Sequence, residues 1–344
     1  MFARIEEVTR LDQVAGCIDA HKRYLVLAGE GFPFEKLSGE ICAPWLGAVF
    51  PALFSETTLT KAGAFVCELD SDTTLGWNVQ EKTLAGCQSF LTIVDGNDPL
   101  VGEKLELLFE NTPAKAVVFG GGSGCLERQE YLYMYNGDGY TNKGIILLGS
   151  AKGFVTEARH GYDCVGDFSM ISKAVHNVIE AIDFKEAFSA YKRLVHERFG
   201  AEVTPQNIFE MGLMYPLMFE RAFGEKTIRI PKETDGRMLK LAGDALEDTV
   251  VSLGSATKSK LLEASSACAR AVVSQRREKD GPMFVFDCVG RQSVLAERFT
   301  EEIDGVRACQ GAGKLVGVLS LGEIANSSKS YVELYNNTCV VGAY

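Results

Sequence analysis

Short apolar segments that end in glycine or proline divide the chain into strands, and longer periodic segments between them predict helices. Residues 23–29, "RYLVLAG", and residues 283–290, "MFVFDCVG", are typical of buried strands because they are continuous, apolar and short. Residues 291–303 predict a helix directly after the second of these strands. A further helix, capped by Asp183, is predicted from apolar residues that share one face: Phe184, Phe188, Tyr191, Val195 and Phe199.

The order of the predicted elements repeats within the chain. Residues 23–70 run strand, helix, strand, strand, and residues 283–344 follow the same order, although the acid Glu323 has no counterpart in the first copy. A boundary near residue 150 predicts two domains, residues 1–150 and residues 151–344. The predicted fold is therefore mixed α/β (α+β), with two similar halves whose largely antiparallel sheets carry helices outside and meet at a cleft.

Composition and charge exclude several classes of function. The chain has 344 residues, of which 46% are hydrophobic, and a net charge of -11 with no basic stripe, so nucleic-acid binding is not expected. Ten cysteines without a C-x-x-C pair are typical of reduced core thiols, not of a zinc site. Because neither a signal peptide nor an apolar segment of membrane-spanning length is recognisable, we expect a cytoplasmic protein without a membrane partner.

Opposite charges follow two predicted strands near the C-terminus. Cys288, Gly290 and Arg291 form a loop that opens a helix, and Gly322 and Glu323 follow the next strand. A guanidinium can grip a carboxylate with its two-pronged fork, and glycine lets a ligand approach the backbone closely. The alternative is structural: Arg291 pairs with Glu297 or Glu301 of its own predicted helix. Cys288 then packs in the core, and Glu323 is a solvated charge at a sheet edge.

Two further sequence features are weaker candidates for a site. The segment "FGGGSGCLER" fits no phosphate-binding or nucleophile motif, so its residues Gly121, Gly122 and Ser123 indicate either an anion site built from backbone N–H groups or a tight turn. His160, in "RHGYDCVGD", could ligate a haem, although a lone histidine is usually a polar loop residue. No spacing of histidine, cysteine or carboxylate predicts a metal site or a hydrolase.

The C-terminal segments resemble the FIST family (F-box and intracellular signal transduction). The resemblance lies in the Cys-x-Gly-Arg loop at 288–291, the Gly-Glu-Ile at 322–324, and the closing Asn-x-Thr that contains Asn336 and Thr338. The N-terminal half is similar to the FIST N domain through "FGGGSGCLERQEYLYMYNGDGYTNKGIILLG", but it lacks the matching glycine and acid of the C-terminal half. The resemblance implies a FIST N-like domain over residues 1–150 and a FIST C-like domain over residues 151–344.

The resemblance to this family implies sensing and not catalysis. FIST modules are thought to bind small ligands, amino acids among them, and they occur beside histidine kinases and cyclic-di-nucleotide enzymes. On this basis we expect Arg291 to hold a ligand carboxylate and Glu323 its ammonium group, with Cys288 lining the wall. Gly290, Gly322, Asn336, Thr338 and the glycine-rich turn complete the expected site. Three alternatives stay open: a haem-based nitric-oxide sensor through His160, an enzyme with Cys288 as nucleophile, and an interaction module without a ligand.

Overall fold

Twenty-five strands and six α-helices are found in the computed structural model, which describes residues 1–55, 58–80, 84–128, 131–221, 226–326 and 331–344. The helices are α1 (Val101–Asn111), α2 (Ala187–Phe199), α3 (Ile208–Met214), α4 (Lys258–Gln275), α5 (Val289–Leu295) and α6 (Phe299–Gln310). The first strands are β1 (Phe2–Val8), β2 (Tyr24–Gly29), β3 (Trp45–Phe50), β4 (Ala52–Phe54), β5 (Leu59–Thr60), β6 (Ala64–Leu69), β7 (Thr74–Trp77), β8 (Ser89–Asp95), β9 (Val117–Ser123), β10 (Met134–Tyr135), β11 (Tyr140–Thr141) and β12 (Ile145–Ser150). The remaining strands are β13 (Val155–Arg159), β14 (Asp163–Val175), β15 (Val178–Ile182), β16 (Lys185–Glu186), β17 (Leu217–Glu220), β18 (Lys226–Glu233), β19 (Leu239–Ala242), β20 (Val250–Ser255), β21 (Met283–Cys288), β22 (Leu315–Ser320), β23 (Glu323–Ala325), β24 (Glu333–Tyr335) and β25 (Cys339–Ala343).

Three six-stranded sheets share one strand arrangement. The first sheet runs β1-β6-β2-β3-β10-β11, the second β7-β12-β8-β9-β23-β24, and the third β13-β25-β21-β22-β4-β5. In each, the third and fourth strands pair in parallel and all other neighbours are antiparallel. The central strands are buried along almost their whole length, as expected for parallel pairs covered on both faces. The repeat expected between residues 23–70 and 283–344 is therefore present, together with a third copy.

The three sheets exchange strands around a common core. After each second parallel strand the chain crosses to a neighbouring sheet, so that β4 pairs with β22, β10 with β3, and β23 with β9. The rings of Phe50, Phe119 and Phe286, one from each sheet, meet with centroids 6.3 Å apart for the two pairs that involve Phe286. Residues 1–150 and 151–344 consequently contribute strands to shared sheets, and the predicted boundary does not separate two sets of sheets.

A fourth sheet is inserted between β13 and β21. It runs β14-β20-β17-β18-β19-β15-β16, and because β14 also pairs with β15, the sheet curls around helix α2. Its core is filled from α2 by Phe188, Tyr191 and Val195, as the predicted apolar face of this helix requires. We refer to residues 163–255 as the curled sheet.

Two predicted helix boundaries are wrong. Asp183 does not cap a helix, because Asp183 and Phe184 form the two-residue turn of the β15–β16 hairpin, with φ values of 49° and 59°. Left-handed φ at both central residues is what the favoured hairpin turn requires, and it leaves Phe184 83% exposed. The helix predicted over residues 291–303 is interrupted at Ala296, whose φ of 53° separates α5 from α6.

The architecture agrees with the predicted fold class. The protein is mixed α+β, with several largely antiparallel sheets and helices packed outside them. Within the described ranges, none of the helices combines the length and the apolar character needed to cross a membrane.

Candidate ligand cavity

A cavity of about 460 Å³ lies where strands of the second and third sheets end against the curled sheet. The segments that follow β8, β21 and β22 reach it, in keeping with the general tendency of ligands to bind at the carboxyl ends of parallel strands. We call it the central cavity. Its apolar walls include Phe209, Leu213, Ile230, Leu321 and Leu334, and its polar groups include Lys232, Glu233, Lys240 and Asn336.

Four of the predicted site residues line the central cavity: Cys288, Gly290, Gly322 and Asn336. Gly322 has a φ of 97°, a conformation that favours glycine, and it lets the chain turn from β22 into β23. A side chain on Gly290 would lie 2.3 Å from the Oδ1 atom of Asn337 and 2.9 Å from a methyl carbon of Leu213, so both side chains would have to move. The motifs that the sequence singled out therefore meet at one cavity, although not every residue of each motif contacts it.

Arg291 does not face the central cavity, which corrects the expectation that it holds a ligand carboxylate. Its side chain is fully buried, and its guanidinium donates to Glu302, to the carbonyl oxygens of His160 and Leu261 at 2.8 Å each, and to that of Asn337 at 3.3 Å. Since these contacts use every N–H group of the fork, no donor is left for a ligand. The structural alternative, in which Arg291 pairs with a glutamate, is closer to what is observed, but the partner is Glu302 and neither Glu297 nor Glu301.

Acidic groups surround the buried guanidinium. The Oδ1 atom of Asp287 lies 3.2 Å from Nε of Arg291, and oxygens of Asp287 and Glu302 and the sulfur of Cys339 lie within 4.8 Å of one another. That spacing could suit a metal ion, but Arg291 already contacts both carboxylates and is the cation of the cluster. Burial, and then the charge of Glu302, raise the pKa of Asp287 well above its ordinary value, against the effect of Arg291.

Glu323 lies behind the wall of the central cavity and is fully buried, so it is not a solvated edge charge. Its carboxylate accepts hydrogen bonds from the hydroxyl of Ser320 at 2.8 Å and from the backbone N–H of Thr338 at 3.3 Å. Burial raises the pKa of Glu323 well above its ordinary value, and the hydrogen bonds from Ser320 and Thr338 oppose that shift. Glu323 is not among the residues that line the cavity, so it is not placed to hold a ligand ammonium there.

Cys288 lines the cavity, and its backbone N–H donates to the carbonyl of Thr338 at 3.2 Å. The thiol is 3% exposed, and burial followed by the charge of Glu323 raises its pKa well above the ordinary value. The backbone N–H groups of Gly290 and Asn337 lower the pKa of the thiol and partly oppose this shift. Asn337 has a left-handed backbone conformation with a φ of 48°.

The remaining predicted residues have structural roles. Gly122 donates to the carbonyl of Gly322 at 2.7 Å and accepts from the N–H of Leu321 at 2.8 Å, where β9 crosses the chain between β22 and β23. A side chain on Gly121 would meet the ring of Phe286 at 2.8 Å. Ser123 and Thr338 are buried, with their hydroxyls donating to the carbonyls of Val94 and Asn336. None of these four residues lines the central cavity, so the anion site expected at the glycine-rich turn is replaced by a strand crossing.

Sequence reasoning missed Lys232, which comes to the cavity from the curled sheet. Among the described residues its ammonium group has no hydrogen bond or ion pair, whereas the neighbouring Lys240 pairs with Glu233 at 3.1 Å. Burial lowers the pKa of Lys232. The Oδ1 atom of Asn336 is also buried without a partner in the described part of the chain. No sequence signal marks Lys232, because it is one charged residue near the end of a strand.

The surroundings of His160 do not fit a haem. Its Nδ1 atom accepts a hydrogen bond from the backbone N–H of Tyr162 at 2.9 Å. The groove beside it is lined by charged side chains, which are unsuited to the faces of a porphyrin: Glu157, Asp163, Lys226, Lys260 and Glu263. The imidazole is therefore a loop-stabilising group, and we derive no haem chemistry from it.

Comparison with known proteins gives one match. The family model described as the FIST C domain matches residues 187–326, which run from helix α2 through β21 and β22 to the loop after β23. No curated protein matches the sequence. FIST C domains are associated with sensing in signal transduction, and they are not a known enzyme family. The chain therefore carries a FIST C domain over residues 187–326.

Proposed function

We propose that the central cavity binds a small carboxylate with an apolar body, such as an amino acid, and that its occupancy is what this sensory protein reads. The observation that carries the proposal is the unpartnered ammonium of Lys232 in a cavity with mostly apolar walls. A cation that is partly removed from water without a counter-ion is unfavourable, and an anionic ligand would relieve that penalty. Lys232 thus takes the role that sequence reasoning gave to Arg291.

The second polar group favours a ligand that also donates a hydrogen bond. The Oδ1 atom of Asn336 is a buried acceptor without a partner among the described residues, and it lines the same cavity. An acceptor left unsatisfied in this way costs about 1–3 kcal/mol, which a donor on the ligand recovers. An amino acid offers both groups, with its carboxylate for Lys232 and its ammonium for Asn336. Phe209, Leu213 and Ile230 would enclose its side chain.

A thermal-shift panel of amino acids and their deaminated carboxylic acids tests the proposal. We expect at least one apolar amino acid to stabilise the protein, since a ligand at 100 times its Kd adds about 2.7 kcal/mol. Lys232→Met should weaken binding by about tenfold or more, because a charge-assisted hydrogen bond contributes roughly 1.5–3 kcal/mol. Lys173→Met is the matched control, as Lys173 is an exposed lysine of β14 outside the cavity that pairs with Glu180. Equal shifts in both variants, or none in the native protein, would refute the assignment.

The signalling partner and the compartment belong to the same proposal. We infer a cytoplasmic protein, because all ten cysteines are free thiols, as in reducing compartments. A histidine kinase or a cyclic-di-nucleotide enzyme is the proposed partner. Affinity capture with and without the stabilising amino acid separates a sensor from a pure interaction module, since only a sensor should change its partner affinity with the ligand.

A further inference from the structure

A cysteine and a lysine contact each other across the curled sheet. The ammonium group of Lys226 donates a hydrogen bond to the sulfur of Cys164 at 2.8 Å. Cys164 is in β14 and Lys226 begins β18, and these two strands are separated in the sheet by β20 and β17. Both residues are partly exposed, so a small oxidant in solution can reach them. Neither residue lines the central cavity, so this contact is separate from the site described above.

The sulfur of Cys164 is positioned by its neighbours in the sheet. Gly254 lies opposite Cys164 on β20, and a side chain on this glycine would meet the Cγ and Sδ atoms of Met218 at 3.0 Å. In the space that the glycine leaves, the thiol of Cys164 donates to Sδ of Met218 at 3.7 Å. Because Met218 is buried, the short distance between Lys226 and the sulfur involves a thiol that the packed sheet holds in place.

The ammonium group of Lys226 lies between the sulfur and a carboxylate. Its Nζ atom is 3.0 Å from Oε1 of Glu220. The hydrogen bond to Cys164, and then that to Glu220, raise the pKa of Lys226, so the lysine is charged beside the thiol. A neighbouring cation favours the thiolate, which is the form of cysteine that peroxides oxidise. At Cys17 and Cys309, which are also partly exposed, the thiol donates to a backbone carbonyl instead.

We propose that hydrogen peroxide joins Cys164 and Lys226 through a sulfur–nitrogen bond, so that this contact is a redox-sensitive cross-link within the curled sheet. The thiolate attacks one peroxide oxygen, and the O–O bond breaks to give a sulfenic acid and hydroxide; sulfur is oxidised by two electrons and the peroxide is reduced. The carboxylate of Glu220 then accepts a proton from the ammonium group, and the nitrogen lone pair displaces the sulfenic hydroxyl group from sulfur. The two protons that the nitrogen loses convert the two hydroxides to water.

The cross-link would connect two strands that do not pair with each other. β18 also carries Ile230 and Lys232, which line the central cavity, so the cross-link would fix one end of a strand that supplies part of the cavity wall. The bond is reversible, because two molecules of a small thiol reduce it to the free cysteine and lysine and leave as a disulfide. Oxidised and reduced forms of the curled sheet can thus interconvert.

Hydrogen peroxide treatment of the intact protein, followed by peptide mass spectrometry, tests the cross-link. We expect a linked pair of peptides that contain Cys164 and Lys226, with a mass two hydrogens below the sum of the separate peptides. Treatment with dithiothreitol should abolish this species. Cys17 and Cys309 are the internal references, and Cys164 should be modified about tenfold faster than either, because neither is hydrogen-bonded to a cation in the same way.

Replacements of Lys226 separate the role of its charge from that of its amine. Lys226→Arg keeps a cation but removes the nucleophile, so Cys164 should still be oxidised quickly and be trapped by dimedone as a sulfenic acid, without a cross-link. Lys226→Met should abolish the cross-link and also slow the oxidation of Cys164 to the rates of the references. Lys260→Met is the matched control, because Lys260 lines the same groove as Lys226 and pairs with Asp163. The yield of cross-link should be unchanged in that variant.

Two results would overturn the proposal. Oxidised protein in which Cys164 and Lys226 remain in separate peptides rules out the cross-link, even if Cys164 carries a sulfenic acid. Oxidation of Cys164 at the same rate in the native protein and in Lys226→Met rules out activation by the lysine. Neither measurement uses a ligand of the central cavity, so both results leave the proposed function untouched.

Discussion

The side chain of Arg291 contacts several elements of the fold at once. Its guanidinium contacts Glu302 on α6, Asp287 on β21, and backbone carbonyls of α4 and of the loops that contain His160 and Asn337. A planar fork with donors in fixed directions suits this position, and lysine could not reach so many acceptors. The arginine of the Cys-x-Gly-Arg loop therefore holds the Cys288 loop in place from behind.

Replacement of this arginine should destabilise the fold strongly. Arg291→Met leaves Asp287 and Glu302 buried without their cation, and removal of one partner from a buried ion cluster costs about 3–5 kcal/mol. The free energy of unfolding in urea measures this loss. Arg298→Met is the control, because Arg298 pairs with Glu301 on the surface and its loss should matter little. A stable Arg291→Met protein that has lost only ligand binding would contradict the structural role.

Glu323 should make stability fall as the pH rises. Because its pKa in the folded state lies above the ordinary value of 4.5, the folded protein holds this proton more tightly than the unfolded chain does. Stability from Glu323 is therefore complete below about pH 4.5 and is lost as the pH rises through the folded pKa. Glutamine does not titrate, so the unfolding free energy of the native protein minus that of Glu323→Gln should decrease as the pH rises above about 4.5.

The control for this pH dependence is Glu127→Gln. Lys61 holds the pKa of the exposed Glu127 below its ordinary value, so any contribution from Glu127 is present at high pH and is lost on acidification. The two variants should thus differ from the native protein with opposite dependence on pH. A difference for Glu323→Gln that stays constant across the range would mean that Glu323 is equally ionised in the folded and unfolded states.

At the scale of residues, the sequence predicted which loops meet at the central cavity better than which side chains line it. Strand ends and glycines located Cys288, Gly290, Gly322 and Asn336, because a strand that stops at a glycine marks a place where backbone and ligand can approach. The direction of Arg291 depends on the packing of α4 and α6, which no local pattern encodes. Lys232 belongs to a separate sheet, so its presence at the cavity is a tertiary result.

The crossing of β9 with the chain between β22 and β23 positions one wall of the central cavity. Leu321 and Gly322 line the cavity and are bonded through their backbone to Gly122. A side chain at residue 122 would lie 2.4 Å from the carbonyl oxygen of Leu321 and 2.7 Å from the Cα atom of Gly96, both of which are backbone atoms. The glycine-rich segment thus sets how closely two elements can pass, and it acts on the cavity indirectly.

Gly122→Ala should therefore weaken both the fold and the cavity. Backbone atoms cannot move aside cheaply, so we expect a loss of about 1–3 kcal/mol in unfolding free energy. Ligand affinity should fall as well, since Gly96 and Leu321 both line the cavity. Gly39→Ala is the matched control, because a side chain there meets nothing within 4 Å. If the two variants were equally stable in urea, the crossing would be looser than its geometry indicates.

At the scale of elements, sequence patterns located strands well and helix ends less well. The buried strands predicted at 23–29 and 283–290 correspond to β2 and β21, because a continuous apolar run bounded by glycine has few other uses. The helix after Asp183 begins later than predicted, since the apolar period includes Phe184, which in the fold is exposed at a hairpin turn. The apolar period shows which residues would share one face of a helix, but it does not show at which residue the helix begins.

At the scale of the whole molecule, the repeat predicted two copies and the fold contains three. The third copy, built on β8, β9 and β12, keeps the pairing pattern but shows little of it in sequence. Its parallel pair is joined through a regular helix, α1, whereas the first pair is joined through a short 3-10 helix, Phe34–Gly39. The repeat is hard to recognise in the sequence because the connecting elements differ in length, whereas the strand pairing shows it directly. The exchange of strands between sheets is a tertiary feature, and no local sequence pattern predicts it.

The inserted curled sheet should fold as an isolated fragment, whereas the N-terminal half, whose sheets exchange strands with the rest of the chain, should not. Among the described residues, the buried cluster around α2 contains residues from 171 to 253 alone, so we expect residues 163–255 to fold alone, although Met218 and Ile228 would lose their packing against the rest of the protein. Residues 1–150 should not, because β9 would lose β23, and β4 would lose β22. Cooperative thermal unfolding followed by circular dichroism, together with amide dispersion in NMR, measures both. A cooperatively folded 1–150 fragment would show that strand exchange is dispensable, and an unfolded 163–255 fragment would show that the curled sheet depends on contacts such as that of Arg229 with Glu333.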